Sequence, residues 1–187
     1  EKGAAMPSAK NFLGLLEKLQ SADITVHQNR CAVVRNRNAT CMKCAEVCTS
    51  GCISYNDNEL IVSPEKCIGC GTCATVCPTC ALEAHRPNDA ELLHRCIQAM
   101  RAADGEVVIA CEQIVNAAEG LLDLEKVVPV TCLGRVEESL LVTLAVAGAK
   151  HVSLVEGKCA SCEHATGFHM AEQVRDNANT LLETWNS

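Results

Sequence analysis

The sequence predicts two small units in one chain, an α+β unit rich in cysteine followed by a small α/β unit with a parallel sheet. Three observations carry this prediction. Cysteines crowd the stretch from Cys31 to Cys80, a capped helix follows it, and short apolar strands alternate with a helix after residue 105. We divide the chain into residues 1–29, an N-terminal helical docking segment; 30–86, the cysteine-rich unit; 87–105, a linking helix; and 106–187, the α/β unit.

The cysteine content indicates metal binding. Fifteen cysteines in 187 residues are several times the usual share, and they fall in C-x2-C pairs. Because their number is odd and no positively charged leader opens the sequence, we expect reduced thiolates in a cytoplasmic protein, not disulfides. A net charge of −7 and very few aromatic residues disfavour nucleic acid. No apolar run is long enough to insert into a membrane.

The N-terminal segment carries an apolar stripe at helical spacing, formed by Phe12, Leu15, Leu16 and Leu19. This spacing predicts an amphipathic helix. Its apolar face would pack on the core of this chain or dock on a partner subunit.

The stretch "CIGCGTCATVCP" holds the most specific motif, Cys67-x2-Cys70-x2-Cys73-x3-Cys77-Pro78. Three closely spaced thiolates fit one corner of a [4Fe-4S] cluster, and Pro78 turns the fourth thiolate toward a second cluster. A zinc knuckle is the alternative, but it needs C-x2-C pairs separated by a longer loop.

An exported fourth ligand requires a second half-motif, and "CAVVRNRNATCMKCAEVCTSGC" must contain it. In one alignment Cys41, Cys44 and Cys48 form the triplet and Cys52 is exported. In the other, which we favour, Cys48 matches Cys77. The Cys-x2-Cys-x3-Cys spacing is then kept, and Cys31 joins across an enlarged loop because Asn38 stands where a thiolate is needed.

The favoured alignment predicts two [4Fe-4S] clusters. Their ligands are Cys31, Cys41, Cys44 and Cys77 for the first and Cys67, Cys70, Cys73 and Cys48 for the second. Cys52 and Cys80 are left over, and we expect them to be small apolar residues packed against the clusters. Between the halves, "YNDNELIVSPEKC" predicts a hairpin with "NDN" as its turn.

From about Arg30 to His85 the chain resembles the bacterial two-cluster ferredoxins, and the resemblance implies their ferredoxin-like fold. Thr49 departs from the family, which has proline there. Arg30, Arg35 and Arg37 surround the loop after Cys31. They form a solvated charge run, stabilise a reduced cluster or meet an acidic partner.

The linking helix is predicted from an Asn88 cap to Gly105, with Cys96 in the core. Three strands follow in "EVVIAC", "VVPVTC" and "HVSLVEGKC", with a helix from about Val136 to Ala147 between the last two. Parallel strands place their C-terminal ends at one edge of the sheet. We therefore expect four thiols to converge there, Cys111, Cys132, Cys159 and Cys162.

Four thiolates at one edge suit [2Fe-2S], a third [4Fe-4S] or zinc, and the spacing alone does not choose. Cys159 and Cys162 could instead form a redox-active dithiol. We interpret His164 and His169 as surface histidines, with His164 as an alternative ligand.

The stretch "VVPVTCLGRVEESLLVTLAVAGAKHVSLVEGKCASC" is similar to the delta, iron–sulfur subunit family of methyl-viologen-reducing hydrogenase. The similarity runs from about Glu106 to the C-terminus. It implies a [2Fe-2S] cluster and partners such as a hydrogenase, a formate dehydrogenase or a flavin-containing heterodisulfide reductase core. The chain departs from the family in having Cys111 alone and in closing with Cys-x2-Cys.

Together these observations predict a non-catalytic iron–sulfur subunit that relays single electrons between larger redox subunits holding flavin or metal cofactors, in an anaerobic oxidoreductase complex. The sequence has no glycine-rich nucleotide loop and no activated nucleophile beside a base. Two alternatives remain open. One is a reductase subunit with thiol or disulfide chemistry at the C-terminal cysteines, and the other is a ferredoxin with a zinc-stabilised docking domain.

Overall fold

The computed structural model describes residues 23–118 and 120–185. The helix predicted around Phe12, Leu15, Leu16 and Leu19 lies outside the described residues. Within the described part, none of the helices has the length and apolar character needed to span a bilayer.

The cysteine-rich unit is built from two small antiparallel sheets and three one-turn helices. Strand β1 (Ile24–Val26) pairs with β4 (Leu82–Ala84), and β2 (Ile53–Asn56) pairs with β3 (Glu59–Val62). The helices are α1 (Ala32–Arg35), α2 (Lys43–Glu46) and α3 (Thr72–Thr75). The predicted hairpin is confirmed, because Asp57 and Asn58 turn with positive φ between β2 and β3.

The unit repeats itself at an offset of 29 residues. This offset relates Lys43–Glu46 to Thr72–Thr75, and Ile53 at the start of β2 to Leu82 at the start of β4. The backbone follows the same turn in both copies, with φ of +60° at Gly51 and +49° at Cys80. This repetition in space supports the alignment that matches Cys48 with Cys77.

Strand β1 is an element that the sequence analysis missed. Ile24 is 1% exposed and lies opposite Ala84, so the strand closes the sheet formed by the second repeat. Cys31 follows β1 by the same interval at which Cys67 follows β3. The strand is three residues long, which is too short for an alternating pattern to be recognised.

The predicted linking helix is confirmed as α4 (Asp89–Ala102). Asn88 caps it, because its side-chain oxygen accepts a hydrogen bond from the Glu91 backbone N–H at 2.9 Å. Leu92, Cys96 and Ala99 form its buried face. Cys96 is fully buried, as expected of a core cysteine.

The α/β unit has the predicted three-stranded parallel sheet, in the order β6, β5, β7. The strands are β5 (Glu106–Cys111), β6 (Val127–Val130) and β7 (His151–Val155). Between and after them lie α5 (Glu112–Ala117), a 3-10 turn (Leu133–Arg135), α6 (Glu138–Val146) and a second 3-10 turn (Cys159–Ser161). The central strand β5 is the most deeply buried, with Val107 and Ile109 inaccessible to solvent.

A 19-residue helix, α7 (Thr166–Thr184), completes this unit and was not predicted. Its buried residues Ala171, Val174 and Ala178 recur at helical spacing. The stripe is marked by small side chains, so its sequence signal is weak. The helix packs on α6 and on the 3-10 turn after β6, and so reaches the cysteine edge of the sheet.

We expect the core of the α/β unit to respond strongly to Leu144→Ala. Leu144 on α6 is fully buried in the cluster that joins α4, the sheet and α7. Removing its side chain leaves a cavity, so the free energy of unfolding should fall by about 2–5 kcal/mol. The measurement is anaerobic urea denaturation followed by far-UV circular dichroism.

The matched control is Val146→Ala on the same helix, where the side chain is 79% exposed. We expect this variant to stay within about 0.5 kcal/mol of wild type. Equal losses in the two variants would contradict the packing described for α6.

Candidate metal centres

The first thiol group, defined as Cys31, Cys41, Cys44 and Cys77, joins the two repeats. Cys31 follows β1, Cys41 and Cys44 flank the start of α2, and Cys77 follows α3. Burial raises the pKa of Cys44 to about 11, and the nearby thiols of Cys77 and Cys31 raise it further. Cys77 therefore lies beside a helix of the opposite repeat.

The second thiol group is defined as Cys48, Cys67, Cys70 and Cys73. Burial raises the pKa of Cys73 far above its ordinary range, and neighbouring Cys70 and Cys67 add to the shift. Cys52, which belongs to neither group, and Cys44 of the first group contribute to the same shift. The two groups are thus neighbours, as a pair of clusters in one small unit requires.

Hydrogen bonds surround the thiol of Cys77, which ends the second repeat. Cys77 Sγ accepts a hydrogen bond from the Ala81 backbone N–H at 3.2 Å and lies 3.7 Å from Thr79 Oγ1. Burial raises the pKa of Cys77, but these hydrogen bonds lower it by more. N–H groups aimed at sulfur stabilise thiolates, which is the form that binds iron.

Gly71 allows the cysteine loop of the second group to lie close against the α/β unit. Gly71 lies between Cys70 and Cys73 with φ of +77°, a conformation that L side chains rarely adopt. A Cβ atom there would lie 2.5 Å from Arg135 Cδ. The cysteine loop and the α/β unit therefore touch at this point.

The third thiol group is defined as Cys111, Cys132, Cys159 and Cys162. All four line one cavity of about 200 Å³ at the C-terminal edge of the parallel sheet. Burial raises the pKa of Cys132 to about 11, with contributions from Cys70, Cys159 and Cys162. Burial also raises the pKa of Cys159, as do Glu156 and Cys111. The predicted convergence at this edge is therefore observed.

The backbone around this cavity suits thiolate ligands. Gly134 N–H points at Cys132 Sγ over 3.5 Å, and His164 N–H points at Cys162 Sγ over 3.4 Å. A side chain at Gly167 would overlap the Cys132 thiol, and one at Gly157 would lie 3.1 Å from Cys111 Sγ. Both glycines leave room for sulfur. The four donors, their N–H partners and the space between them fit an iron–sulfur cluster.

The interpretation of His164 as a surface histidine is wrong, because its side chain is only 12% exposed. Its Nδ1 atom is buried without a hydrogen-bond partner among the described residues. The unpredicted helix α7 begins two residues later and holds this loop against the site. His169, in contrast, is 81% exposed on α7, in agreement with the expectation.

Cys52 and Cys80, which the ligand assignment leaves out, differ in burial. Cys52 is buried, with its Sγ 3.4 Å from Cys48 Sγ. Cys80 is exposed, so the expectation that it packs against a cluster is wrong. Its positive φ holds it in the turn after Cys77, where its side chain points away from the core. All fifteen cysteines are free thiols.

The second and third thiol groups meet at the junction of the two units, where Cys70 affects the pKa of Cys132. A buried arginine anchors this junction. Arg135 is 2% exposed, lies against Gly71, donates to Pro87 O at 3.3 Å, and pairs with Asp89 and Glu137. The sequence analysis missed this residue, although it lies in the "GRV" stretch beside Cys132.

Two threonine hydroxyls form further hydrogen bonds between the two units. Thr49 Oγ1 donates to the Glu163 carbonyl, and Thr166 Oγ1 donates to the Val47 carbonyl at 2.7 Å. Thr49 stands where the ferredoxins have proline, so this departure gives the turn after Cys48 a hydrogen bond to the third thiol group's loop.

No group of three or more histidine, cysteine, aspartate or glutamate side chains within the described residues is arranged to hold a single metal ion. The third thiol group nevertheless lines a shared cavity in the described part of the chain.

Comparison with known proteins identifies part of the cysteine-rich unit. Residues 60–83 match the model of the 4Fe-4S binding domain family. This segment contains Cys67, Cys70, Cys73 and Cys77, the most specific motif of the sequence. The match supports [4Fe-4S] binding by a ferredoxin-like domain.

Several bacterial proteins are similar to this chain over segments of 39–50 residues. Ferredoxin-1 of Caulobacter vibrioides is 36% identical over 50 residues, which cover 27% of this chain and 44% of that protein. Ferredoxin 7Fe of Hydrogenibacillus schlegelii is 41% identical over 39 residues, covering 21% and 50%. Electron transport protein HydN of Escherichia coli is 48% identical over 40 residues, covering 21% and 23%.

The chain spans about half or less of the length of these relatives. No solved structure matches it.

We expect Cys73→Ser to remove iron from the ferredoxin-like domain. Cys73 is buried among the thiols of the second group, so losing its sulfur should destroy one cluster, about four iron atoms per chain. Anaerobic iron and sulfide analysis of the purified variant measures the loss. Cys80→Ser is the control, because Cys80 belongs to the same stretch but is exposed. An equal loss in both variants would count against the grouping of thiols described above.

Proposed function

We propose that this chain is a non-catalytic electron-transfer subunit that holds three iron–sulfur clusters in a row. The observation that supports this most directly is the contact between units, where Cys132 of the third thiol group lies close enough to Cys70 of the second for Cys70 to raise the pKa of Cys132. Cys44 and Cys73 link the first and second groups in the same way. In this arrangement the second thiol group lies between the first and the third.

We assign one [4Fe-4S] cluster to the first thiol group and one to the second. The support is the 29-residue repeat, which makes Cys48 and Cys77 equivalent and gives each the same turn. Cys77 lies near Cys44 of the opposite repeat, as an exported ligand must. The enlarged loop that carries α1 accounts for the distance in sequence between Cys31 and Cys41.

We assign a [2Fe-2S] cluster to the third thiol group. The support is the cavity that all four thiols line, the two N–H groups that point at Cys132 and Cys162, and the similarity of this stretch to the hydrogenase delta-subunit family. When bound, these clusters supply one-electron redox chemistry. The residues of the chain hold the three groups at fixed spacing and exclude water from Cys44, Cys73 and Cys132.

Thiol chemistry at the C-terminal cysteines is less well supported. A reactive cysteine has a lowered pKa and access to solvent. Burial and the carboxylate of Glu156 instead raise the pKa of Cys159, and Cys132 is shifted in the same direction. Thiols with raised pKa values are poor nucleophiles at neutral pH but bind metal once their protons are displaced.

The partners proposed for the chain are larger redox subunits of an anaerobic, cytoplasmic oxidoreductase complex. Similar proteins are named as electron transport protein HydN, putative oxidoreductase AegA and a probable iron–sulfur subunit of the frd operon. The delta-subunit similarity favours a hydrogenase, a formate dehydrogenase or a heterodisulfide-reductase-like complex.

We propose that the surface beside the first thiol group receives an acidic partner. Arg30, Arg35 and Arg37 are exposed there, and no aspartate or glutamate occurs from Ile24 to Ala45. This stretch is therefore basic in a chain of net charge −7. Opposite charges accelerate the encounter of redox partners and do so less at high salt.

Metal analysis of wild type, Cys111→Ala and Cys159→Ala tests the three-cluster assignment. We expect about ten iron atoms in wild type and about eight in each variant, with a [2Fe-2S] EPR signal lost in both variants. Cys80→Ala, which changes an exposed cysteine outside all three groups, should keep about ten.

Other metal contents lead to different conclusions. Zinc in the wild-type chain, at about one per chain with eight irons, would instead favour a zinc-stabilised docking domain. About twelve irons would mean a third [4Fe-4S] cluster at the C-terminal site.

The proposed docking surface predicts a charge-dependent rate of electron exchange. The triple variant Arg30→Gln, Arg35→Gln, Arg37→Gln should react about tenfold or more slowly with ferricyanide, an anionic oxidant, at low salt. Its rate should also depend less on ionic strength than the wild-type rate. Stopped-flow absorbance of the anaerobically reduced protein measures both effects.

The control removes three basic charges far from the first thiol group, at Arg101, Lys126 and Arg175. We expect its ferricyanide rate to fall less than that of the first triple variant, because these charges lie on the linking helix and the α/β unit and not beside Cys31. Equal slowing by both triple variants would mean that net charge alone sets the rate.

A further inference from the structure

Cys52 is a buried thiol to which the assignment of ligands gives no role. Its side chain is 6% exposed, and its Sγ lies 3.4 Å from Cys48 Sγ. The pKa of Cys52 is also affected by Cys67, so the thiol borders the second group on two sides. Five thiols therefore surround the space in which four are needed.

The internal repeat provides a reference for what Cys52 changes. At the offset of 29 residues, Cys48 corresponds to Cys77, Ser50 to Thr79, and Cys52 to Ala81. A hydroxyl lies near each ligand thiol, at 3.5 Å for Ser50 and 3.7 Å for Thr79. The backbone N–H of Ala81 bonds to Cys77 Sγ, and that of Cys52 bonds to Cys48.

The two ligand thiols thus share a nearby hydroxyl and a backbone N–H, and they differ in the side chain at the position of Cys52. Ala81 places a methyl group in the second repeat, where Cys52 places a thiol in the first. An S–H group is a weak donor, and a thiolate bound to iron is an acceptor within its reach. Hydrogen bonds to cluster sulfur are one of the terms that set cluster potentials.

The direction of this hydrogen bond follows from the ligand assignment. The Cys48 and Cys52 sulfur atoms are 3.4 Å apart. A thiolate bound to iron carries no proton, so it can only accept. Cys48 is therefore the acceptor and Cys52, which is not a ligand, is the donor.

We propose that Cys52 is a tuning residue, whose thiol donates a hydrogen bond to Cys48 and raises the reduction potential of the cluster held by the second thiol group. This inference rests on the proposed function, in that the second group must hold a cluster. The donor draws electron density from the ligand sulfur, which favours the reduced state. The first group lacks such a donor, since Ala81 takes its place.

In the proposed relay, Cys52 would make the reduction potentials of two otherwise similar clusters differ. Without Cys52, the repeat would give both ferredoxin-like clusters similar ligand surroundings. With it, the reduced state is favoured at the second group, which is the neighbour of the third group. Electrons entering beside the basic loop would then be drawn toward the junction between the units.

An EPR-monitored redox titration of wild type, Cys52→Ala and Cys52→Ser tests this proposal. We expect all three to retain the same iron content, because Cys52 is not a ligand. The midpoint potential of one [4Fe-4S] cluster should become more negative in Cys52→Ala and return toward wild type in Cys52→Ser, which keeps a donor. The other [4Fe-4S] potential should not move.

A second variant assigns the signals. Thr79→Val removes the hydroxyl near Cys77, so it should shift the potential of the cluster that Cys52→Ala leaves unchanged. Cys80→Ala, an exposed cysteine in the equivalent turn, should shift neither.

Two results would overturn the proposal. An unchanged pair of potentials in Cys52→Ala would show that the thiol does not tune the cluster. Loss of about four irons in Cys52→Ala, with iron retained in Cys48→Ala, would make Cys52 the ligand. Failure of the proposed function has a different signature, because wild type would then lack the second [4Fe-4S] cluster before any titration.

Discussion

The buried guanidinium of Arg135 is the interaction on which the arrangement of the three thiol groups depends. It lies against Gly71 of the cysteine loop, bonds to Pro87 just before the linking helix, and pairs with Asp89 and Glu137. Such a charge is tolerated in the interior only when its donors are satisfied. Arg135 therefore holds the cysteine-rich unit, the linking helix and the α/β unit together. This contact keeps Cys132 beside Cys70.

The small core of the cysteine-rich unit bears on how this unit is stabilised. Its sheets are only two strands wide and its helices a single turn long, so little apolar surface is buried. In the ligand assignment proposed above, each repeat supplies one thiol to the cluster of the other, Cys48 and Cys77. Cluster binding would then contribute folding free energy that the small core cannot supply.

The sequence predicted the features that depend on short-range spacing or on strand direction. These include the cysteine motif, the hairpin, the cap at Asn88 and the convergence of four thiols at the edge of the parallel sheet. It did not predict β1, α7 or the burial of Arg135 and His164. Those features depend on contacts between segments distant in sequence. In α7 the buried face is marked mainly by alanine, which also occurs on exposed helix faces.

Charged side chains have two different roles in this molecule, one for the buried Arg135 and one for the exposed arginines near Cys31. Salt screens charges in solvent but has little effect on a pair enclosed by protein. Ionic strength therefore acts on the exposed arginines near Cys31 and on their encounter with the acidic partner proposed above. It does not change the spacing between the thiol groups, because Arg135 is 2% exposed. Under the proposed function, salt changes the rate at which electrons enter the protein and leaves the distances between its clusters unchanged.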